Sequence, residues 1–268
     1  MQKGSNSVIY IIVFLLVFSS CKFRSIEKNG DWRIKYEAAL QYYEKEDYYR
    51  ASVLFEQIVP IVRGLPEGEQ VQFWLAYSQF NQRIYQVAAH YFKNFYETYG
   101  RSQYVEEARY MYAYSLYTGS PNTNLDQTST VEAIDAMQNF INKYPGSKYS
   151  EEAGGLIDEM QLKLERKGYD NAFQYFKLKM YSAAVVALDN FQIDFPDSDL
   201  NEDALYYKME SQYNYALQSI NIKQSERFEE AKKSYEKFID RYPESKYLRD
   251  GEKIYSDIIK RLKEINKN

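Results

Sequence analysis

The ten residues Tyr144–Ala153, YPGSKYSEEA, form a repeated turn that decides the fold of this chain. Related stretches are YGRSQYVEEA at Tyr99–Ala108, FPDSDLNEDA at Phe195–Ala204 and YPESKYLRDG at Tyr242–Gly251. Each copy places a Pro or Gly where a helix would end, because neither residue favours a helix interior. A Ser two residues later can cap the helix that follows. Four such joints predict an array of helices.

A second pattern, an Ala between large side chains at helical spacing, precedes each joint. In Tyr85-Ala88-Phe92-Phe95, for example, spacings of three and four residues put all four side chains on one helix face. The small Ala allows a neighbouring helix to approach closely. The corresponding alanines are Ala51, Ala88, Ala133, Ala184 and Ala231. Their intervals are near or above the period of about 34 residues that is typical of tetratricopeptide (TPR) helix hairpins.

The sequence therefore predicts an all-α fold, a right-handed superhelix of about five TPR-like helix hairpins over residues 31–268. A charged helix at Asp250–Ile265 ends the array. Turn-forming residues predict connecting segments at Gly64–Gly68, Thr118–Thr130 and Gln218–Glu226. We interpret the pair Gly154-Gly155, inside a helical pattern, as a point of close helix packing.

The first residues have the pattern of a targeting signal. The apolar run Val8–Phe18 is shorter than the roughly 20 residues that span a bilayer as a helix, and it is typical of a signal peptide. Ser19-Ser20-Cys21 follows and resembles a bacterial lipoprotein box, which implies cleavage before Cys21 and a palmitate-type lipid on that residue. We predict a signal peptide at residues 1–20 and a lipidated tether at residues 21–30. Because Lys22 is basic, the resemblance further implies the outer membrane, facing the periplasm.

The residue inventory argues against an enzyme. The chain of 268 residues holds one Cys and one His, so His90 has no partner for a metal site or a catalytic pair. Acidic pairs such as Glu106-Glu107 recur at predicted helix starts, where they oppose the positive end of the helix dipole. The net charge of −4 argues against nucleic acid as a partner. We expect no catalytic residue, no metal and no cofactor.

Aromatic residues offer the best functional indication, at 17% of the chain with 29 Tyr. The first helix of each TPR hairpin builds the inner face of such an array, where aromatic rings can hold an extended peptide. The residues predicted to line a peptide groove are Tyr36, Tyr43, Trp74, Tyr77, Tyr110 and Tyr114. Asp126 and Gln127, in the longest polar segment, are predicted to form a partner-binding loop.

Together these features resemble the BamD family, the TPR lipoproteins of the outer-membrane β-barrel assembly machinery. The resemblance rests on Cys21, the Asp126-Gln127-Thr128 loop and the joint Tyr144-Pro145-x-Ser147, and it covers the chain from about Tyr36 to Tyr242. It implies a non-enzymatic scaffold that docks on the periplasmic POTRA domains of a BamA-like barrel protein. It also implies that the N-terminal repeats receive segments of unfolded outer-membrane proteins, while the C-terminal repeats hold the partner.

Two other functions remain open at the level of the residues. The chain could be another periplasmic TPR adaptor, serving division or peptidoglycan machinery, or a glycan-uptake lipoprotein. Depletion of the protein distinguishes these functions, because only the loss of an assembly factor should lower the amount of barrel proteins.

Overall fold

A computed structural model describes residues 22–266 of the chain. The predictions for the signal peptide and Cys21 lie outside these residues. Helices and short connections make up the whole described part, and it contains no strand. The all-α prediction is therefore confirmed.

The chain divides into two compact units, the first ending at Met160 and the second starting at Gln161. Three helix hairpins lie in the first unit. Their helices are α1 Trp32–Glu44, α2 Tyr48–Val62, α3 Glu67–Asn81, α4 Tyr85–Thr98, α5 Val105–Thr118 and α6 Thr128–Lys143. Each of these helices packs against the next one along the chain.

The division falls within the long helix α7, Ser150–Lys177. The second unit holds its C-terminal part and the remaining helices α8 Tyr181–Asp194, α9 Asn201–Leu217, α10 Asn221–Arg241 and α11 Leu248–Ile265. Helix α9 packs against α8 and α10, and α11 covers the end of this hairpin. Five TPR-like hairpins and a closing helix, as predicted, account for all helices from Trp32 to Ile265.

The five alanines of the repeated pattern are the innermost residues of their hairpins. Ala51, Ala88, Ala133, Ala184 and Ala231 all have an exposed fraction of 0%. Phe92 and Phe95, four and seven residues after Ala88, are equally buried. A methyl group at each alanine leaves room for the first helix of the hairpin, and the larger neighbours fill the space on either side. The predicted register of the second helices is confirmed.

Each joint fixes the start of the next helix in the same way. The hydroxyl of Ser147 accepts a hydrogen bond from the backbone N–H of Tyr149, at 3.2 Å, and Ser245 caps Tyr247 likewise at 3.0 Å. Ser147 also donates to Glu106 in the first turn of α5, at 2.6 Å. The equivalent bonds join Ser245 to Glu202 and Ser102 to Glu69. At three of the four joints the capping Ser therefore ties the following hairpin to the first helix of the hairpin before it.

An aromatic stack reinforces the joints. The ring of Tyr149 lies 4.4 Å from that of Tyr110, at an interplanar angle of 9°. Tyr247 stacks on Tyr206 at 4.1 Å and 7°. Offset stacking of this kind adds roughly 0.5–1.5 kcal/mol beyond the burial of the rings. The Tyr two residues after Ser102, Ser147 and Ser245 thus packs against the preceding first helix, whereas Leu200 occupies this position after Ser198.

Two expectations about local structure are wrong. Gln218–Glu226 was expected to be a connecting segment, yet α10 already begins at Asn221, so the extra residues lengthen a helix. Gly154-Gly155 is not a point of close packing, because a Cβ atom built on either glycine would meet nothing within 4 Å. A helical glycine with open space around it carries no packing role.

Three of the hairpins turn through a residue in the left-handed region. Glu46, Arg83 and Lys179 have φ values of 60°, 63° and 59°, and each lies between the two helices of its hairpin. In each turn the next residue donates its N–H to a carbonyl five residues back, as Asp47 does to Tyr42 at 2.9 Å. This closing pattern satisfies the last carbonyls of the first helix. Glycine is the usual residue at such a position, and none of these three turns has one. The sequence therefore does not predict their left-handed conformation.

Candidate functional site

The six aromatic residues predicted to line a groove all lie on the first helices of the three hairpins in the first unit. We call this set, Tyr36, Tyr43, Trp74, Tyr77, Tyr110 and Tyr114, the aromatic row. Its members are on α1, α3 and α5, two on each helix. On each helix the two residues are three, four or seven positions apart, so they share one face.

The structure brings the aromatic row together in two groups. Trp74 lies 4.9 Å from Tyr43 and 6.0 Å from Tyr77, measured between ring centroids. Tyr110 and Tyr114 stack at 5.6 Å with an interplanar angle of 23°. Tyr36 makes no ring contact in the described part of the chain, and its hydroxyl donates to Gln70 on α3 at 2.6 Å.

The members differ in how much surface they offer. Tyr110 has an exposed fraction of 4%, and its ring packs against Phe140 and Tyr149. Tyr110 is therefore part of the core and presents almost no surface to a ligand. The other five members are half-buried, so each offers an edge or a hydroxyl at the surface.

Three hydroxyl groups of the row bond to residues on the next first helix, and that of Tyr43 instead accepts from the Asn81 amide. Tyr77 donates to Glu107 on α5, and burial together with a hydrogen bond to Glu152 on α7 raises the pKa of Tyr110 well above its usual range. The acidic residues therefore do more than oppose a helix dipole. They accept bonds from the preceding hairpin and hold the first helices in register.

Sequence reasoning missed one residue of this surface. Tyr117 lies three residues after Tyr114 on α5, and the two rings are 5.9 Å apart. Its hydroxyl donates to both carboxylate oxygens of Glu159 at 2.9 Å. The spacing of three residues from Tyr114 was a sufficient signal to include it.

Burial shifts the titration of these phenols. Desolvation raises the pKa of Tyr43 to about 12. Desolvation, followed by the hydrogen bond to Glu159, raises the pKa of Tyr117 to about 12 as well. At neutral pH both groups are neutral, so the Tyr117 hydroxyl donates to Glu159 while the Tyr43 hydroxyl accepts from the Asn81 amide.

We expect the protein to lose stability as the pH rises from about 10 through 12. The unfolded phenols titrate near 10, below the folded values of Tyr43 and Tyr117, so the unfolded state loses protons first. The stabilisation is complete below pH 10. Melting temperatures from circular dichroism at constant ionic strength should fall over this range, and Tyr117→Phe should reduce the slope. A melting temperature that stays constant from pH 9 to 12 would contradict this expectation.

The two residues of the predicted partner loop differ in exposure, since Gln127 is buried and Asp126 is exposed. Gln127 has an exposed fraction of 6%, and its amide donates to the backbone carbonyls of Asn122 and Leu125 at 2.8 and 3.1 Å. Its oxygen accepts from the Thr130 hydroxyl at 2.7 Å. Gln127 closes the loop from inside and presents no free group to a partner. Asp126 is exposed and accepts from the backbone N–H of Thr128 at 3.0 Å.

The remaining candidates are structural. His90 is exposed on α4 and contacts Asn94 at 2.8 Å. In the described part of the chain, no group of three or more His, Cys, Asp or Glu residues is arranged to bind a metal ion. Among the helices of residues 22–266, none combines the length and apolar character that crossing a membrane requires.

Comparison with known proteins adds a family and two relatives. A family model named YfiO and described as "Outer membrane lipoprotein" matches residues 31–228. A protein of Aquifex aeolicus (strain VF5), with the name "Putative outer membrane protein assembly factor BamD", is 28% identical over 201 residues, or 74% of this chain. The chain spans 65% of that relative's length. A BamD outer membrane protein assembly factor of Rickettsia prowazekii (strain Madrid E) is 25% identical over 243 residues, covering 88% of this chain and 91% of the relative.

Proposed function

Because this chain belongs to the YfiO family of outer-membrane lipoproteins, we propose that it is a scaffold for the assembly of β-barrel proteins in the outer membrane. The match over residues 31–228 carries the proposal, and it confirms the resemblance that the sequence indicated. The family is one of assembly factors and not of enzymes, as the name of the Rickettsia relative also states.

The proposed position is the periplasmic face of the outer membrane, with the chain held by a lipid on Cys21. The apolar run Val8–Phe18 and the Ser19-Ser20-Cys21 box support this position. Each buried methylene of an acyl chain contributes about 0.8 kcal/mol to membrane binding, so two or three chains hold the protein firmly.

The proposed substrates are extended segments of unfolded outer-membrane proteins, bound along the aromatic row. Support comes from Tyr43 and Trp74, whose rings lie 4.9 Å apart and are half-buried. Such rings can bury apolar side chains of a peptide with little loss of their own freedom, because packing already restricts them. The carboxylate of Glu107 on α5 accepts from the Tyr77 hydroxyl of the row, and that of Glu159 on α7 accepts from the neighbouring Tyr117.

The proposed docking partner is a BamA-like barrel protein, bound through its periplasmic POTRA domains by the second unit. Support comes from α8, where Val186 and Ile193 are 59% and 70% exposed. They are seven residues apart and therefore share one helix face. Exposed apolar residues on a regular helix face are typical of surfaces that bind another protein. The exposed Asp126 is proposed as a further partner contact.

Co-purification and depletion test the assembly function. Pull-down of the tagged protein from solubilised outer membrane should recover a BamA-like barrel protein, and depletion should lower the level of barrel proteins. Normal barrel levels together with defects only in constriction or cell wall would refute the proposal and favour an envelope adaptor. Failure to grow on a glycan, with normal barrel assembly, would favour nutrient uptake.

A substitution in the aromatic row tests the substrate surface. Tyr43→Ala should weaken binding of a fluorescent segment of an unfolded outer-membrane protein by about tenfold, because the ring forms part of the contact surface. Tyr49→Ala is the matched control, since Tyr49 is 66% exposed on α2, outside the row. Anisotropy titrations measure both affinities. Equal affinities of the two variants, with unchanged melting temperatures, would exclude the row as the binding surface.

A further inference from the structure

A cavity of about 310 Å³ is lined by residues of α4, α5 and α6. Tyr96 on α4 and Tyr112 on α5 form aromatic walls, with ring centroids 5.8 Å apart. Arg109, also on α5, lies beside them, and Asn139 and Lys143 on α6 complete the rim. The cavity is thus built between the second and third hairpins, inside the first unit.

The guanidinium of Arg109 is the central group of this cavity. Its Cζ atom lies 4.1 Å from the centroid of the Tyr96 ring, so the ring supports one part of the side chain. Its Nε is buried and has no hydrogen-bond partner in the described structure. In the same part of the chain, Arg109 makes no salt bridge. The two terminal nitrogens of the guanidinium are not buried in this way and make no salt bridge among the described residues, so they are the donors that an oxyanion in the cavity can reach.

The charge of the lining favours an anion. The residues that line the cavity include two cations, Arg109 and Lys143, and no acid. Lys143 is exposed at the rim and, among the described residues, contacts only the Tyr144 ring, 5.8 Å away. Asn139 is one helical turn earlier on α6 and adds an amide donor.

The kind of anion follows from the helix ends. Tyr96 lies in the last turn of α4, which ends at Thr98, and Lys143 is the last residue of α6. The free carbonyls of helix C-termini carry partial negative charge, which repels a doubly charged phosphate more strongly than a singly charged carboxylate. Phosphate sites usually draw on the N–H groups of a helix N-terminus, and the lining residues supply none. A planar carboxylate with one charge matches the planar fork of the guanidinium.

We propose that this cavity, the arginine pocket, binds a carboxylate group, with Arg109 as the main ligand and Lys143 at the rim. The carboxylate can belong to an acidic side chain of a partner protein or to a small aromatic acid. The proposal does not rest on the assembly function, although the cavity shares Phe140 with the core around Tyr110.

Titration of the whole chain with three probes tests the proposal. The probes are benzoate, an acetylated and amidated peptide with a single Glu, and inorganic phosphate at the same ionic strength. The signal of the Arg109 Nε–H group in nitrogen-15 spectra reports binding directly. We expect saturable shifts with benzoate or with the peptide, and the comparison of the two identifies a small acid or a protein side chain as the ligand. Phosphate should bind at least about tenfold more weakly than the better of these two probes.

Two variants and one control complete the test. Arg109→Met should weaken binding of the better probe by about tenfold or more, followed through the Asn139 amide signal, and Lys143→Met by about threefold. Lys143 is exposed, so its replacement leaves the fold intact even if Arg109→Met unfolds. Arg101→Met, at an exposed position in the joint before α5, should have no effect. Tighter binding of phosphate, no binding of either carboxylate, or unchanged binding in Lys143→Met would overturn the proposal.

Discussion

Phe92→Ala is expected to lower the free energy of unfolding by about 3–5 kcal/mol. Phe92 has an exposed fraction of 0% on α4, four residues after Ala88. Its ring makes edge contacts with Tyr77 at 5.1 Å and Phe73 at 6.3 Å. Truncation therefore removes the burial of a whole ring and leaves a cavity between α3 and α4, because close-packed helices relax only in part.

Urea unfolding followed by circular dichroism measures this loss. Tyr91→Ala is the matched control, since Tyr91 is the neighbouring residue on the same helix and is half-buried. Its replacement should cost much less than that of Phe92. A loss below about 1 kcal/mol for Phe92→Ala, or equal losses for both variants, would contradict the assigned core.

Because Phe92 supports Tyr77, the same variant should also affect the aromatic row. Tyr77 loses its edge contact with Phe92, although its ring contacts with Phe73 and Trp74 and its bond to Glu107 remain. We therefore expect weaker binding of unfolded segments at temperatures where Phe92→Ala remains folded. The anisotropy titration proposed for Tyr43→Ala measures this effect.

Cys21→Ala is expected to release the protein from the membrane almost completely. The thiol is the only one in the chain and stands directly after Ser19-Ser20, so no other residue can take the proposed lipid. Without acyl chains, the membrane affinity of about 0.8 kcal/mol per buried methylene is lost. Fractionation and labelling with a radioactive fatty acid measure the two consequences.

Ser20→Ala is the matched control for the anchor. Alanine is also small, so this variant should still be processed and should stay with the membrane fraction. If Cys21→Ala remained in the membrane after a carbonate wash, the proposed lipid anchor would be wrong. Membrane retention through the BamA-like partner is excluded by repeating the fractionation after the partner is removed with detergent.

The sequence predicted the candidate site in part. The half-buried position of Tyr43 and Trp74 on first helices follows from spacing within a helix and from the order of the hairpins. The burial of Tyr110 under Tyr149 and the inward amide of Gln127 did not follow, because each depends on a contact across a turn. An aromatic or polar residue in a sequence carries no sign of which neighbour will cover it.

The arginine pocket could not be predicted from the sequence for the same reason. In the sequence, Arg109 lies among acidic residues and tyrosines, a pattern that predicts a solvent-exposed side chain. Only the approach of α4 and α6 places Tyr96 beneath its guanidinium and Lys143 at the rim.

The sequence by itself determined the number of hairpins, the buried face of each second helix and the places where helices begin after a Ser joint. The reason is that helix periodicity, Pro and Gly stops and Ser caps act over a few residues, as at Ala88 and Ser147. The tertiary structure decided which hydroxyl meets which carboxylate, such as Ser147 with Glu106, and which turns adopt positive φ, as at Arg83. These features depend on how closely and at what angle packed helices meet, and that geometry arises only when side chains from separate parts of the chain fill a common space.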